Sequence, residues 1–205
     1  MDRRLLILSG LAAAAGGKAL AQGDRPEPSR PSEPPRPSGP DDAPAESYSD
    51  SEIVNGVSDF FGVTAEDAGT LIERIFRANG RPTAYIAGTE GSAAFFFGLR
   101  YGEGLLYMKG RPRLKVYWQG PTGGFDWGAD GARVFTLCYN LQYPDAIFRR
   151  FPGVDGSAYL IGGMGFNYQR AEDITLVPIR AGGGLRLGAS IGYLAYSRQR
   201  NLIPL

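Results

Sequence analysis

The sequence reads as a mainly β protein: a small closed or nearly closed β-barrel of about eight strands, with two N-terminal helices and one short inserted helix. Three observations predict it. Short apolar runs separated by turn signals recur from Thr83 to Tyr196. Glycine gathers in the same region, with 21 of the chain's 30 lying between Gly88 and Gly192. Several of these fall inside strand-like runs (Gly98, Gly162, Gly163, Gly165, Gly188, Gly192), where a bend or a close backbone approach calls for a missing Cβ. The last run, Gly184–Tyr196, alternates with period two. Leu185, Leu187, Ala189, Ile191, Tyr193 and Ala195 share one side, and Arg186, Gly188, Ser190, Gly192 and Tyr196 the other, where Leu194 is the one large aliphatic. At about eight strands a barrel interior is filled by side chains or holds one small apolar ligand.

The elements follow in chain order. Met1-Asp2-Arg3-Arg4 is a basic start, Leu5 to Gly17 an apolar run, and Ala19-Leu20-Ala21 the small-x-small pattern of a cleavage site. The run is about 13 residues, roughly 20 Å as a helix, too short for a bilayer core of about 30 Å. Residues 1–21 are therefore expected to be a signal peptide, with a mature protein beginning at Gln22 in a bacterial periplasm and carrying no transmembrane span. A lipid anchor is not expected, because the only cysteine is Cys138. Residues 22–50 hold eight prolines and almost no large apolar side chain. Such a stretch cannot offset its ordering entropy and reads as a disordered linker. Residues 51–205 make one domain.

That domain opens with two helices. Ser49 and Glu52 form a capping-box pattern ahead of Ile53, Val54, Val57, Phe60 and Phe61, and Gly62 stops the turn. Thr64 opens the second, with Glu66 and Asp67 suiting its positive end and Ala68, Leu71, Ile72, Ile75 and Phe76 lining one face. Strands are predicted over Thr83–Ala87, Ala93–Tyr101, Gly104–Lys109, Arg113–Gln119, Arg133–Tyr139, Ser157–Tyr168, Ile174–Arg180 and Gly184–Tyr196. Gly120-Pro121 reads as a turn. A short helix with Pro144 in its first turn, Ile147 and Phe148 inward, and Pro152-Gly153 as its stop is inserted among them.

Composition excludes much. The chain has no histidine, which removes Ser-His-Asp and Cys-His machinery, the usual zinc sites and the commonest general base. Cys138 stands alone in a β-like run and reads as a buried, inert thiol. The domain carries sixteen Lys or Arg against thirteen Asp or Glu, and the linker three against seven. Neither balance points to nucleic acid. No cofactor or metal is implied.

Candidate sites are few. Asp126, in Gly123-Gly-Phe-Asp-Trp-Gly128, could be a general acid for glycan chemistry with Asp130 as second carboxylate, or a side chain bonding loop amides. A calcium loop would need ligand alternation and a closing Glu that this stretch lacks. Arg180, Arg186, Arg198 and Arg200 cluster late, and Lys109, Arg111, Arg113 and Lys115 around one turn. Guanidinium forks suit the phosphates and carboxylates of the envelope, while a solvated barrel rim is the plainer reading. Arg180 and Arg186 flank Gly182-Gly-Gly184 and are expected to converge at one barrel end, with Arg198, as contacts for an anionic ligand.

The blocks Trp118–Gly128, Arg133–Leu141, Phe151–Tyr159, Pro178–Arg180 and Leu185–Leu194 resemble the envelope integrity protein A family of alphaproteobacterial periplasmic proteins. Trp118, Asp126 and Arg133 are the motif residues these blocks carry. The Gly-Ala-Ser-Ile-Gly-Tyr-Leu run also resembles, more distantly, the glycine-rich end of lipid-binding SYLF domains. The tail Asn201-Leu-Ile-Pro-Leu205 departs from the aromatic residues expected around that proline. The resemblance implies a small β-barrel with a hydrophobic core, a periplasmic location and a role in a robust envelope. The resulting expectation is a non-catalytic protein that binds an envelope lipid, peptidoglycan or an envelope protein. The alternative is an Asp-dependent hydrolase of cell-wall glycan.

Overall fold

A computed structural model describes residues 44–94, 97–123, 132–154, 159–161, 163–181 and 192–201. The expected signal peptide, most of the linker, Asp126, Arg186 and the glycines at 182–184 lie outside the described residues.

Both helices form where the spacing predicts them: α1 over Asp50–Phe61 and α2 over Ala65–Asn79. The reciprocal cap is present, the Glu52 amide donating to Ser49 Oγ at 3.3 Å and the Ser49 amide to Glu52 Oε2 at 2.7 Å. Gly62 ends α1 in the left-handed region at φ 72°. Ten strands follow among the described residues: β1 (Ala84–Ala94), β2 (Phe97–Met108), β3 (Leu114–Gly123), β4 (Ala132–Tyr139), β5 (Arg150–Pro152), β6 (Tyr159–Ile161), β7 (Met164–Phe166), β8 (Gln169–Ala171), β9 (Ile174–Ala181) and β10 (Tyr193–Ser197).

The strands make one antiparallel sheet in the order β5-β10-β3-β2-β1-β4-β9-β7-β6, with β8 also on β9. Its path is open, so the closed or nearly closed barrel expected from the sequence is an open half-barrel. The β5 end meets β8 at a single bridge, Gly153 to Gln169, beside which the Val154 amide donates to Tyr168 O at 2.9 Å. Strands of three residues leave little room for more.

The sheet has two working faces. Inward from β1–β4, β9 and β10 point Ile86, Leu106, Val116, Trp118, Val134, Leu176, Leu194 and Tyr196, packed with Phe151 into one cluster. Outward on β4, β7 and β9, Phe135, Leu137, Phe166, Val177 and Ile179 pack with Ile53, Val57, Leu71, Ile72 and Ile75 of the two helices. The apolar helix stripes thus rest on the sheet.

Three local expectations are corrected. β1 and β2 run unbroken through Gly88–Gly91 and Gly102, and β3 runs through Gly120-Pro121, where turns or gaps were predicted. These glycines serve close approach: a Cβ at Gly120 would lie 2.0 Å from the Tyr193 carbonyl of β10, and one at Gly102 would lie 2.1 Å from the Trp118 indole. The inserted helix is a single 3-10 turn, Pro144–Ile147, which buries Ala146 and Ile147 and leaves Phe148 half-buried, and the chain re-enters the sheet at Arg150. The long run Ser157–Tyr168 is the β6–β7 hairpin, with Gly163 at φ 72° between the two strands. In the described part of the last strand the predicted alternation holds, with Leu194 and Tyr196 on the buried side and Tyr193 and Ala195 on the partly exposed one. The neighbours decide this, since Tyr196 lies opposite Trp118 on β3.

Gly102→Ala is expected to destabilise the domain by about 1–3 kcal/mol, the usual range for overpacking a filled site. Chemical denaturation with tryptophan emission checks both parts, since the added methyl must displace the indole.

Candidate functional site

The inward face changes character along β1. Ala84 and Ile86 are followed on the same side by Gly88 and then Glu90, so strand alternation carries a carboxylate into the half-barrel. Glu90 is 6% exposed. From β9 the Arg180 guanidinium meets it as a fork, Nε donating to Oε1 at 2.6 Å and Nη2 to Oε2 at 3.3 Å. Arg100 of β2 brings its Nε within 3.4 Å of Oε1. Trp118 Nε1 of β3 donates to Oε2 at 2.9 Å. Arg180 Nη1 also donates to Asn167 Oδ1, 3.1 Å away between β7 and β8.

Five elements therefore supply one ionic cluster, and the register explains how. Glu90 faces Gly102 across the β1–β2 ladder and Gly102 faces Trp118 across β2–β3. The indole lies over the glycine and reaches the acid beyond it. Val134 pairs with Arg180 on the other flank.

Burial by itself would raise the Glu90 carboxyl. Arg180 first, then Arg100, together with the hydrogen bonds from Arg180 and Trp118, outweigh it and hold the group at about 2, against an ordinary 4.5. Arg180 moves the complementary way: burial opposes its charge, and Glu90 more than restores it. The cluster is ionised, oriented and bonded, which is the opposite of a carboxyl poised to give up a proton near neutrality. Below it Tyr196 is buried, and burial pushes its phenol well above the usual range. The Cys138 thiol, buried on β4, is pushed up by burial likewise, as an inert thiol should be.

The sequence-predicted residues take different places. Trp118 and Arg180 meet at this cluster, Arg180 inside the half-barrel rather than on a solvated rim. Arg198 follows β10, its Nη2 2.6 Å from Asp145 Oδ2 and its guanidinium over the Phe148 ring at 4.7 Å. Arg133 points outward from β4, and its Nη1 donates to the Phe60 carbonyl at 2.8 Å, capping the end of α1. Asp126 and Arg186 lie outside the described residues. Sequence reading missed Glu90, Arg100 and Asn167. The available signal was parity: read as a strand through Gly88, the run Ala84-x-Ile86-x-Gly88-x-Glu90 puts an acid on an apolar side.

Among the described residues no helix is long and apolar enough to cross a membrane, and no group of three His, Cys, Asp or Glu could hold a metal ion.

The arrangement defines a class, a β-barrel-like domain backed by two helices and cross-braced inside by an acid, two guanidiniums and an indole. Residues 46–205 match the envelope integrity protein A family, and the chain belongs to it. It is similar to a crystal structure of an uncharacterized, β-barrel-like protein from Brucella abortus, with 46% identity and a TM-score of 0.71. That match covers 78% of this chain and 99% of the other. No curated protein matches the chain.

Proposed function

We propose that this protein supports the integrity of the cell envelope from the periplasm, without catalysis, by binding an envelope component. Membership of the envelope integrity family supports the role. The signal-peptide pattern of residues 1–21 supports the compartment. The observation that carries the non-catalytic reading is the state of Glu90: its charge is spent on Arg180, Arg100 and Trp118 inside the fold. The half-barrel's inward aliphatic and aromatic side chains pack on one another as a core, which favours binding at the surface over carriage of an acyl chain within.

The test combines localisation and phenotype. The protein is expected among periplasmic markers with residues 1–21 removed, and its deletion is expected to sensitise cells to detergent, reversed by a plasmid copy. Recovery from the cytosol, or unchanged detergent tolerance on deletion, overturns the reading. A plasmid copy carrying Asp126→Asn is expected to complement fully; failure by a folded variant favours the glycan hydrolase instead.

A further inference from the structure

We propose that the outward face of β2, β3, β10 and β5 binds an acidic polysaccharide, a deepening that rests on the envelope reading above. Four cations stand on this face, each against a tyrosine ring. Arg113 lies over Tyr107 at 5.2 Å, Lys115 over Tyr117 at 5.3 Å, Arg200 over Tyr117 at 6.0 Å and Arg150 over Tyr193 at 5.2 Å. One carboxylate, Glu103, is shared by two of them, 3.5 Å from Lys115 and 3.0 Å from Arg200. A ring holds an exposed cation by only about 0.5–1 kcal/mol. These side chains are therefore kept in place yet readily exchange the ring for a carboxylate or phosphate.

The opposite side of the domain has the other sign. Residues 50–79, the two helices, carry six acids and two arginines, all exposed. A polyanion is repelled there and steered to the sheet face. The cations are spread as well as exposed. Arg150 pairs in register with Ala195 and so with Gln119, two strands and four residues from Lys115. At about 4.8 Å between strands and 3.4 Å per residue, that is roughly 17 Å. A single small anion cannot bridge that distance, whereas a chain can.

Two observations select a polysaccharide over a bilayer. The exposed large hydrophobic side chains among the described residues are Tyr143, Val154 and Leu160, none of them on these four strands. Among the described residues the face thus offers no anchor to insert among acyl chains. What it does offer is half-exposed tyrosine rings beside cations, surfaces on which the C–H face of a sugar packs while its acid group meets the charge.

The experiment measures binding of the purified full chain to polygalacturonate at low and high salt, with dextran as the uncharged polymer and phosphatidylglycerol vesicles as the membrane arm. Polygalacturonate is expected to bind, more weakly at high salt, and dextran not at all. The double variant Lys115→Glu, Arg150→Glu is expected to weaken binding at least tenfold with an unchanged melting midpoint, whereas Asp59→Lys on α1 leaves it as tight or tighter. No binding of polygalacturonate at low salt, an unaltered affinity in the double variant, or binding to vesicles but not to the polymer overturns the proposal. If a chain that restores detergent tolerance fails to bind the polymer, this inference falls and the envelope role stands.

Discussion

Glu90→Gln is expected to destabilise the domain by about 3–5 kcal/mol at neutral pH, because it leaves two largely enclosed guanidiniums, each about 16% exposed, facing a neutral amide. In a domain of this size that is roughly a ten-degree fall in melting midpoint. Its pH dependence identifies the cause. The carboxyl titrates near 4.5 when unfolded and about 2 when folded. Its contribution is therefore complete above about pH 4.5 and disappears as pH falls from there through about 2. The difference between wild type and Glu90→Gln, read from urea midpoints at several pH values, should shrink over that window. Glu52, also held at about 2, by the Ser49 amide and the Lys109 ammonium, is present in both proteins and cancels. A difference independent of pH would trace the loss to packing instead of charge.

Phe135→Ala carries the second large effect, about 3–5 kcal/mol by the usual cost of removing a buried phenyl group. The ring is 2% exposed on the helix side of β4. It stacks on Tyr85 at 4.9 Å and meets Phe60 of α1 edge-on at 5.6 Å. It is thus the pivot between sheet and helices, and its loss should be felt unequally. Amide exchange is expected to show α1 and α2 losing protection while β1 and β2 keep theirs. Uniform loss would mean that helices and sheet open as one unit.

The helices were legible because their signals are local. Ser49 and Glu52 sit three apart, Thr64 precedes two acids, and each apolar stripe keeps one spacing. The mainly β character was legible from turn spacing and from β4 and β9, which lie within a residue or two of their predicted bounds. The interior cluster was not. Its members lie on strands whose glycines read as turns, and those glycines are explained only by what crosses them, an indole at Gly102 and a carbonyl at Gly120. Arg180 drew notice as a cation, but its partner is 90 residues away on β1, a separation that no local pattern encodes. Tyr193 and Leu194 fall on opposite sides as the alternation predicts, but which side is buried was not legible. Alternation fixes which residues agree with each other, and only the adjoining strands decide which set turns inward.

Strand β10 sits between β3 and β5, although residues 193–197 are made long after both. Until they emerge from the ribosome, β3 has no outer neighbour and Trp118 lacks the Tyr196 ring that closes over it at 5.9 Å. A chain still lacking these residues therefore leaves the outer edge of β3 unpaired and one side of the indole uncovered.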